Sequence, residues 1–199
     1  MAQVVTASRL SAFSPSVFEM LMRPSPVDNF ECIVALRNCI VNAIGLEISY
    51  EDLAKRCHLE YATDLPDCLL VIFSVSNMLY DGLHLPDCGH GGKALTEGKW
   101  VYHGTKNLPG ILQSNGVMLD AINTADGKQG WYHGQFKCAL YYAHPMLLGR
   151  EWYKPVLKVR ADCWNKCKTW GYTKSGCMRY SITEIILVPQ SCFLARPCT

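Results

Sequence analysis

Residues 99 to 105 read Lys-Trp-Val-Tyr-His-Gly-Thr, and residues 107 to 116 read Asn-Leu-Pro-Gly-Ile-Leu-Gln-Ser-Asn-Gly. The first run predicts a strand over Lys99 to His103, being rich in aromatic and β-branched residues and broken by a glycine. The second predicts a short helix from Asn107 to Asn115, stopped by Gly116, because glycine takes the positive φ that a helix terminus often needs. Downstream, Asp120 to Gly130 is polar and reads as a loop. Gln135 to Ala143 returns to helical spacing, with Phe136, Leu140 and Ala143 on one face and Pro145 ending it. Leu157, Val159 and Ala161 alternate with Lys158 and Arg160, the pattern of a strand exposed on one side. Ile182 to Val188 is a β-branched run bounded by Pro189, which predicts a more buried strand. The second half reads as a mixed α+β unit.

Upstream the texture changes. Asp81 to Gly98 is rich in Gly, Pro, His and Asp, with Gly91-Gly92 at its centre, and reads as a linker. Before it, Ile33, Leu36, Ile40 and Ala43 or Ile44 recur at helical spacing and Gly45 marks the end. Ser49 with Asp52 three residues on signals a second helix start, since the hydroxyl can accept from a free first-turn N–H. Asp67 is read as opening a third helix that runs to about Tyr80. Residues 1 to 28 carry Pro15, Pro24 and Pro26 with little periodicity. The expected division is thus a loosely ordered leader at 1–28, a small helical region and linker at 29–92, and the α+β unit at 93–199.

Composition narrows the class. An apolar share of 49% and a charged share of 18% are ordinary for a soluble globular chain and supply enough material for a core. A net charge of +2 forces neither a nucleic-acid partner nor an acidic one. The longest apolar run, Cys68 to Leu79, contains two serines and an asparagine and is too short for a membrane span, so no membrane partner is expected. Eleven cysteines is an odd count, and residues 1 to 20 lack the basic start and apolar block of a secretory signal. The thiols are therefore read as reduced, in an intracellular protein of the cytoplasm or nucleus. Cys88 with His90, and Cys163, Cys167 and Cys177, fit no common zinc spacing, so no metal site is assigned. Lys166, Lys168, Lys174 and Arg179 alternate with Trp164, Trp170 and Tyr172, which reads as a solvated face before it reads as a nucleic-acid surface.

The chemistry-bearing residues come as an ordered set. Val101-Tyr102-His103-Gly104-Thr105, with Ile111 and Gly116 after it, resembles the opening motif of the ADP-ribosyltransferase superfamily, in its poly(ADP-ribose) polymerase-like branch. Gly130-Trp131-Tyr132 and Cys138-Ala139-Leu140-Tyr141 resemble the second motif, and Glu184-Ile185-Ile186-Leu187 the third. The resemblance implies a catalytic domain in which two small sheets flank a cleft for NAD. NAD would be the substrate, its ADP-ribose passing to a protein or nucleic-acid acceptor, singly in preference to chains, with release of nicotinamide. It implies Glu184 as the catalytic carboxylate, since cleavage of the nicotinamide–ribose bond develops positive charge on the ribose. Tyr132 and Tyr141 would offer aromatic faces to the cationic nicotinamide ring. Gly104 would meet the carboxamide with its backbone, Thr105 and Cys138 would line the site, and His103 would bind the adenosine-side ribose. Two residues depart from the pattern: Cys138 replaces a serine, and a thiol is the weaker hydrogen-bonding group, while Trp131 replaces an aliphatic residue.

Glu184 stands out without any resemblance. In a regular strand it shares a face with Ile182, Ile186 and Val188, where a carboxylate is costly unless paired or functional. Three other readings stay open. The domain could bind NAD or ADP-ribose without turning it over; it could be a papain-like cysteine protease using Cys39 and His103; or it could be a tRNA 2′-phosphotransferase, which shares the fold and NAD but usually comes on a more basic chain.

Overall fold

The computed structural model describes residues 26–45, 47–65, 67–85, 99–118, 128–161, 165–167, 170–174 and 179–193. The leader through residue 25, most of the linker, and the cysteines and histidine at 88, 90, 163 and 177 lie outside them. The first helix, α1, spans Pro26–Ile44 and so begins inside the expected leader. Pro26 is suited to that place, because the first helical N–H has no partner to lose. Cys32, Ile33, Leu36 and Ile40 form its buried stripe. Gly45 takes φ +68° and donates its N–H to the Val41 carbonyl at 2.9 Å, closing the helix as its glycine suggested. In α2, Tyr50–Arg56, the Ser49 hydroxyl accepts from the Asp52 N–H at 3.0 Å and donates to its carboxylate at 2.8 Å.

The expected helix over 67–80 is a strand instead. A hairpin of β1, Cys57–Tyr61, and β2, Leu69–Ser74, pairs Cys57 with Phe73 and Tyr61 with Leu69. Asp67, at φ 58°, lies just before β2 and does not cap a helix. The reason is burial on both sides. Leu70 and Ile72 belong to one apolar cluster, and Val71 and Phe73 to another. A continuous apolar run of this kind has no period that tells a two-sided strand from a buried helix, and its β-branched, aromatic content favours the strand.

The remaining strands are β3 Lys99–Gly104, β4 Lys128–His133, β5 Met146–Leu148, β6 Glu151–Ala161, β7 Asn165–Cys167, β8 Trp170–Lys174 and β9 Tyr180–Pro189. The helices are α3 Leu108–Gln113, α4 Phe136–Tyr142 and α5 Gln190–Phe193. The class is α+β. All described pairings are antiparallel, and the strands run in the order β1-β2-β9-β6-β3-β4-β8-β7, with β5 added to β6. Because β2 pairs with β9, the sheet crosses from the first half of the chain into the second. Lys128 to Gly130, expected in a loop, are strand, held by pairing with β8. The path is narrow at one point: β3 and β4 share a single register pair, Tyr102 with His133. Beyond it β3 pairs with β6 and β4 with β8, so the described strands form one sheet, divided there, where two small sheets were expected.

One face of this sheet packs on α1 and α3 through Val71, Phe73, Val101, Leu157, Ile182 and Ile185. The other packs on α4 through Leu70, Ile72, Val156, Ile186 and Val188. Among the described residues no helix is long and apolar enough to cross a membrane.

Candidate functional site

The faces assigned by strand register decide which motif residues meet. Residues paired directly across antiparallel strands point to the same side. Ser74 pairs with Glu184, Glu184 with Lys158, Lys158 with Tyr102, and Tyr102 with His133. This row crosses the sheet on the α4 face, where Tyr102 packs its ring edge-on against Phe136 at 5.6 Å between centroids. The expectation that Glu184 shares a face with Ile182 is wrong. The ladder skips one residue, pairing Lys158 with Glu184 but Val159 with Ile182, so Thr183 is a bulge. Ile182 is buried in the α1-side cluster, while Ile186 and Val188 stay with Glu184 on the α4 face.

Glu184 is not bare. Lys158 Nζ donates to both carboxylate oxygens, at 2.9 and 3.1 Å, with side chains 28% and 23% exposed for Lys158 and Glu184. Partial burial makes this pair more than a surface contact, because neither charge is fully solvated. The same ammonium stands 5.2 Å from the centroid of Trp100, whose ring is half exposed. Lys158 was recognised in the sequence only as the polar side of an alternating strand. Its partnership with Glu184 needed the register of two strands distant in sequence.

Gly104 shows why glycine stands at its position. A Cβ there would lie 1.8 Å from the Ala139 carbonyl oxygen and 2.8 Å from the Ala143 nitrogen. The space that a side chain would need there is taken by the backbone of α4. Thr105 is fully buried; its hydroxyl accepts from the Asn107 N–H at 3.0 Å and its carbonyl from the His144 N–H at 3.0 Å. It ties the strand end to the start of α3 and to the end of α4. On α4, Cys138 donates its thiol to the Gln135 side chain at 3.6 Å, and Tyr141 is 67% exposed. Tyr141 meets Tyr142 edge-on at 5.2 Å, and Tyr142 stacks on the His133 imidazole at 5.0 Å and 14°. His133 and Tyr142 escaped the motif reading, although both adjoin motif residues in the chain.

His103 is buried and pairs with Leu157, which places it on the α1 face, across the sheet from Glu184. Tyr132 lies in β4 with its backbone paired to Gly171. The two motif strands β3 and β9 are separated by β6 alone, so the site residues are near in the sheet but divided between its faces. Cys39 packs against the α1-side core, and burial raises its thiol above the usual range, opposite to what a nucleophilic thiolate needs. Among the described residues no group of three or more His, Cys, Asp or Glu is placed to hold a metal.

His133 is held below its ordinary 6.5 first by burial and then by the charge of His103. The unfolded chain therefore takes up a proton there before the folded chain does, and stability falls as pH drops through 6.5 toward the lower folded value. We expect the melting temperature to drop less on going from pH 7 to pH 5 in His133→Phe, which keeps a ring on Tyr142, than in the wild type. Parallel melts with equal losses would mean that His133 contributes nothing to this dependence. No protein-family model matches this chain, and no curated protein sequence matches it.

Proposed function

We propose that this protein uses NAD to transfer ADP-ribose, singly in preference to chains, to a protein or nucleic-acid acceptor, with release of nicotinamide. The observation that carries the reading is that Glu184 lies on the α4 face, in one cross-strand row with Lys158 and with Tyr102, which packs on Phe136 of α4, while Gly104 of β3 lies against the same helix. The resemblance assigns Glu184 to the ribose, and Gly104, Tyr132, Cys138 and Tyr141 to the nicotinamide. A partly buried carboxylate is well suited to stabilise a ribosyl cation, since charge interactions strengthen as water is removed. Tyr141 and Tyr142 add exposed aromatic faces for a planar cationic ring. Tyr132 would face the nicotinamide with Tyr141, and His103 would hold the adenosine-side ribose, so the dinucleotide would have to run along the division between β3 and β4 to reach both faces.

A second reading, binding of NAD or ADP-ribose without turnover, is favoured by one contact. Lys158 neutralises both oxygens of Glu184, and the position of His103 on the other face points the same way. Incubation of the full chain with NAD labelled in the nicotinamide separates the two. Free nicotinamide together with ADP-ribosylated product supports transfer; binding without release supports the module; neither would end both. Cys39→Ala is expected to leave nicotinamide release at the wild-type level. Its loss in that variant would favour thiol chemistry over a carboxylate site.

A further inference from the structure

We infer that the bulge at Thr183 is a positioning device for Glu184, with Thr183 and Lys158 as positioning residues; its chemical consequence rests on the transferase reading, its geometry does not. In a regular strand residues two apart share a face, so Ile182 and Glu184 would be bound together to one side. Ile182 is buried in the α1-side cluster. Glu184 would follow it into that apolar layer, where an ionised carboxylate is strongly disfavoured. The extra residue parts them.

The bulge is latched at three points. Thr183 Oγ1 donates to the Lys158 carbonyl at 3.1 Å. The Thr183 carbonyl accepts from the Val75 N–H at 2.8 Å and from the Ser76 hydroxyl at 3.5 Å. Lys158 therefore grips consecutive residues of β9, Thr183 through its backbone and Glu184 through its ammonium. An unlatched bulge can slide along its strand, and a one-residue slip turns every side chain it passes to the other face. Thr183 thus keeps the carboxylate on the α4 face, and Lys158 sets where on that face it rests.

The test is a cycle of thermal melts on the full chain with Lys158→Met, Glu184→Gln and the double variant. Their shifts are expected to depart from additivity by about 2–4 °C, the size of a coupling near 1 kcal/mol in a chain of this length. Repeated on Thr183→Val, the departure should vanish; on Thr183→Ser, which keeps the hydroxyl, it should return. Thr183→Ala removes the hydroxyl with no added bulk and replaces Thr183→Val if that variant does not fold. Coupling that survives loss of the hydroxyl overturns the latch. In turnover, Thr183→Val should lower kcat about five- to tenfold, as expected for one hydrogen bond, with KM for NAD unchanged and Thr183→Ser restoring the rate. Lost coupling with unaltered kcat would overturn the role in the reaction. A wild type that releases no nicotinamide would end the transferase reading, and the melts would still judge the latch.

Discussion

Glu184→Gln is expected to lower NAD turnover by roughly 10²-fold or more, the scale set by removing one preorganised electrostatic contact. The substitution keeps the shape but removes the charge that would stabilise the ribosyl cation, and its amide nitrogen cannot accept from Lys158 as the second carboxylate oxygen does. That cation exists only near the transition state, so NAD affinity should change far less than kcat. Glutamine also leaves Lys158 without its anionic partner at 28% exposure, so a thermal melt must show that the variant is folded before its rate is read. His103→Ala and Tyr132→Ala are expected to behave in the opposite sense, weakening NAD binding itself because they would hold the ground-state dinucleotide. Calorimetric affinities beside nicotinamide release for the three variants make the comparison. Equal turnover in wild type and Glu184→Gln would remove the catalytic role and leave at most a binding fold.

Gly104→Ala is expected to destabilise the fold by about 3 kcal/mol, at the upper end of overpacking costs. In a chain of this size that corresponds to a fall in melting temperature of about 6–12 °C. The atoms a Cβ would strike, the Ala139 carbonyl and the Ala143 nitrogen, are backbone and have no rotamer to escape into. They are also hydrogen-bonded to each other at 3.2 Å, so the new methyl group must push the last turn of α4 off the sheet. Tyr141 and Tyr142 would move with it, and NAD affinity should fall as well. Gly134→Ala is the control, because a Cβ there meets nothing within 4 Å, and its melting temperature should stay close to the wild type. A Gly104→Ala protein that melts with the wild type would mean that α4 does not approach β3 this closely.

Elements with a one-sided pattern or a local capping signal were legible in the sequence. Ser49 and Asp52 announced α2, Gly45 the end of α1, and the alternation through Leu157, Val159 and Ala161 announced β6, because each signal acts within a few residues. The run through Leu69 to Ser74 was misread, because a strand covered on both faces carries no period. The site divides along the same line. The candidates — His103, Gly104, Glu184 and the tyrosines — were named from the order of the motifs along the chain. Which of them face one another could not be named in that way, since that depends on register between strands up to about a hundred residues apart and on a single inserted residue. Thr183 carries no sequence mark of a bulge; only the simultaneous demands of the Ile182 core contact, the Val75 hydrogen bond and the Lys158 pairing create it. The amino-acid sequence by itself determined the α+β class, through local periodicity and residue chemistry. The tertiary structure alone decided that Glu184 turns to α4 and to Lys158 while His103 turns away, because the side of a sheet is a property of paired strands and not of either strand alone.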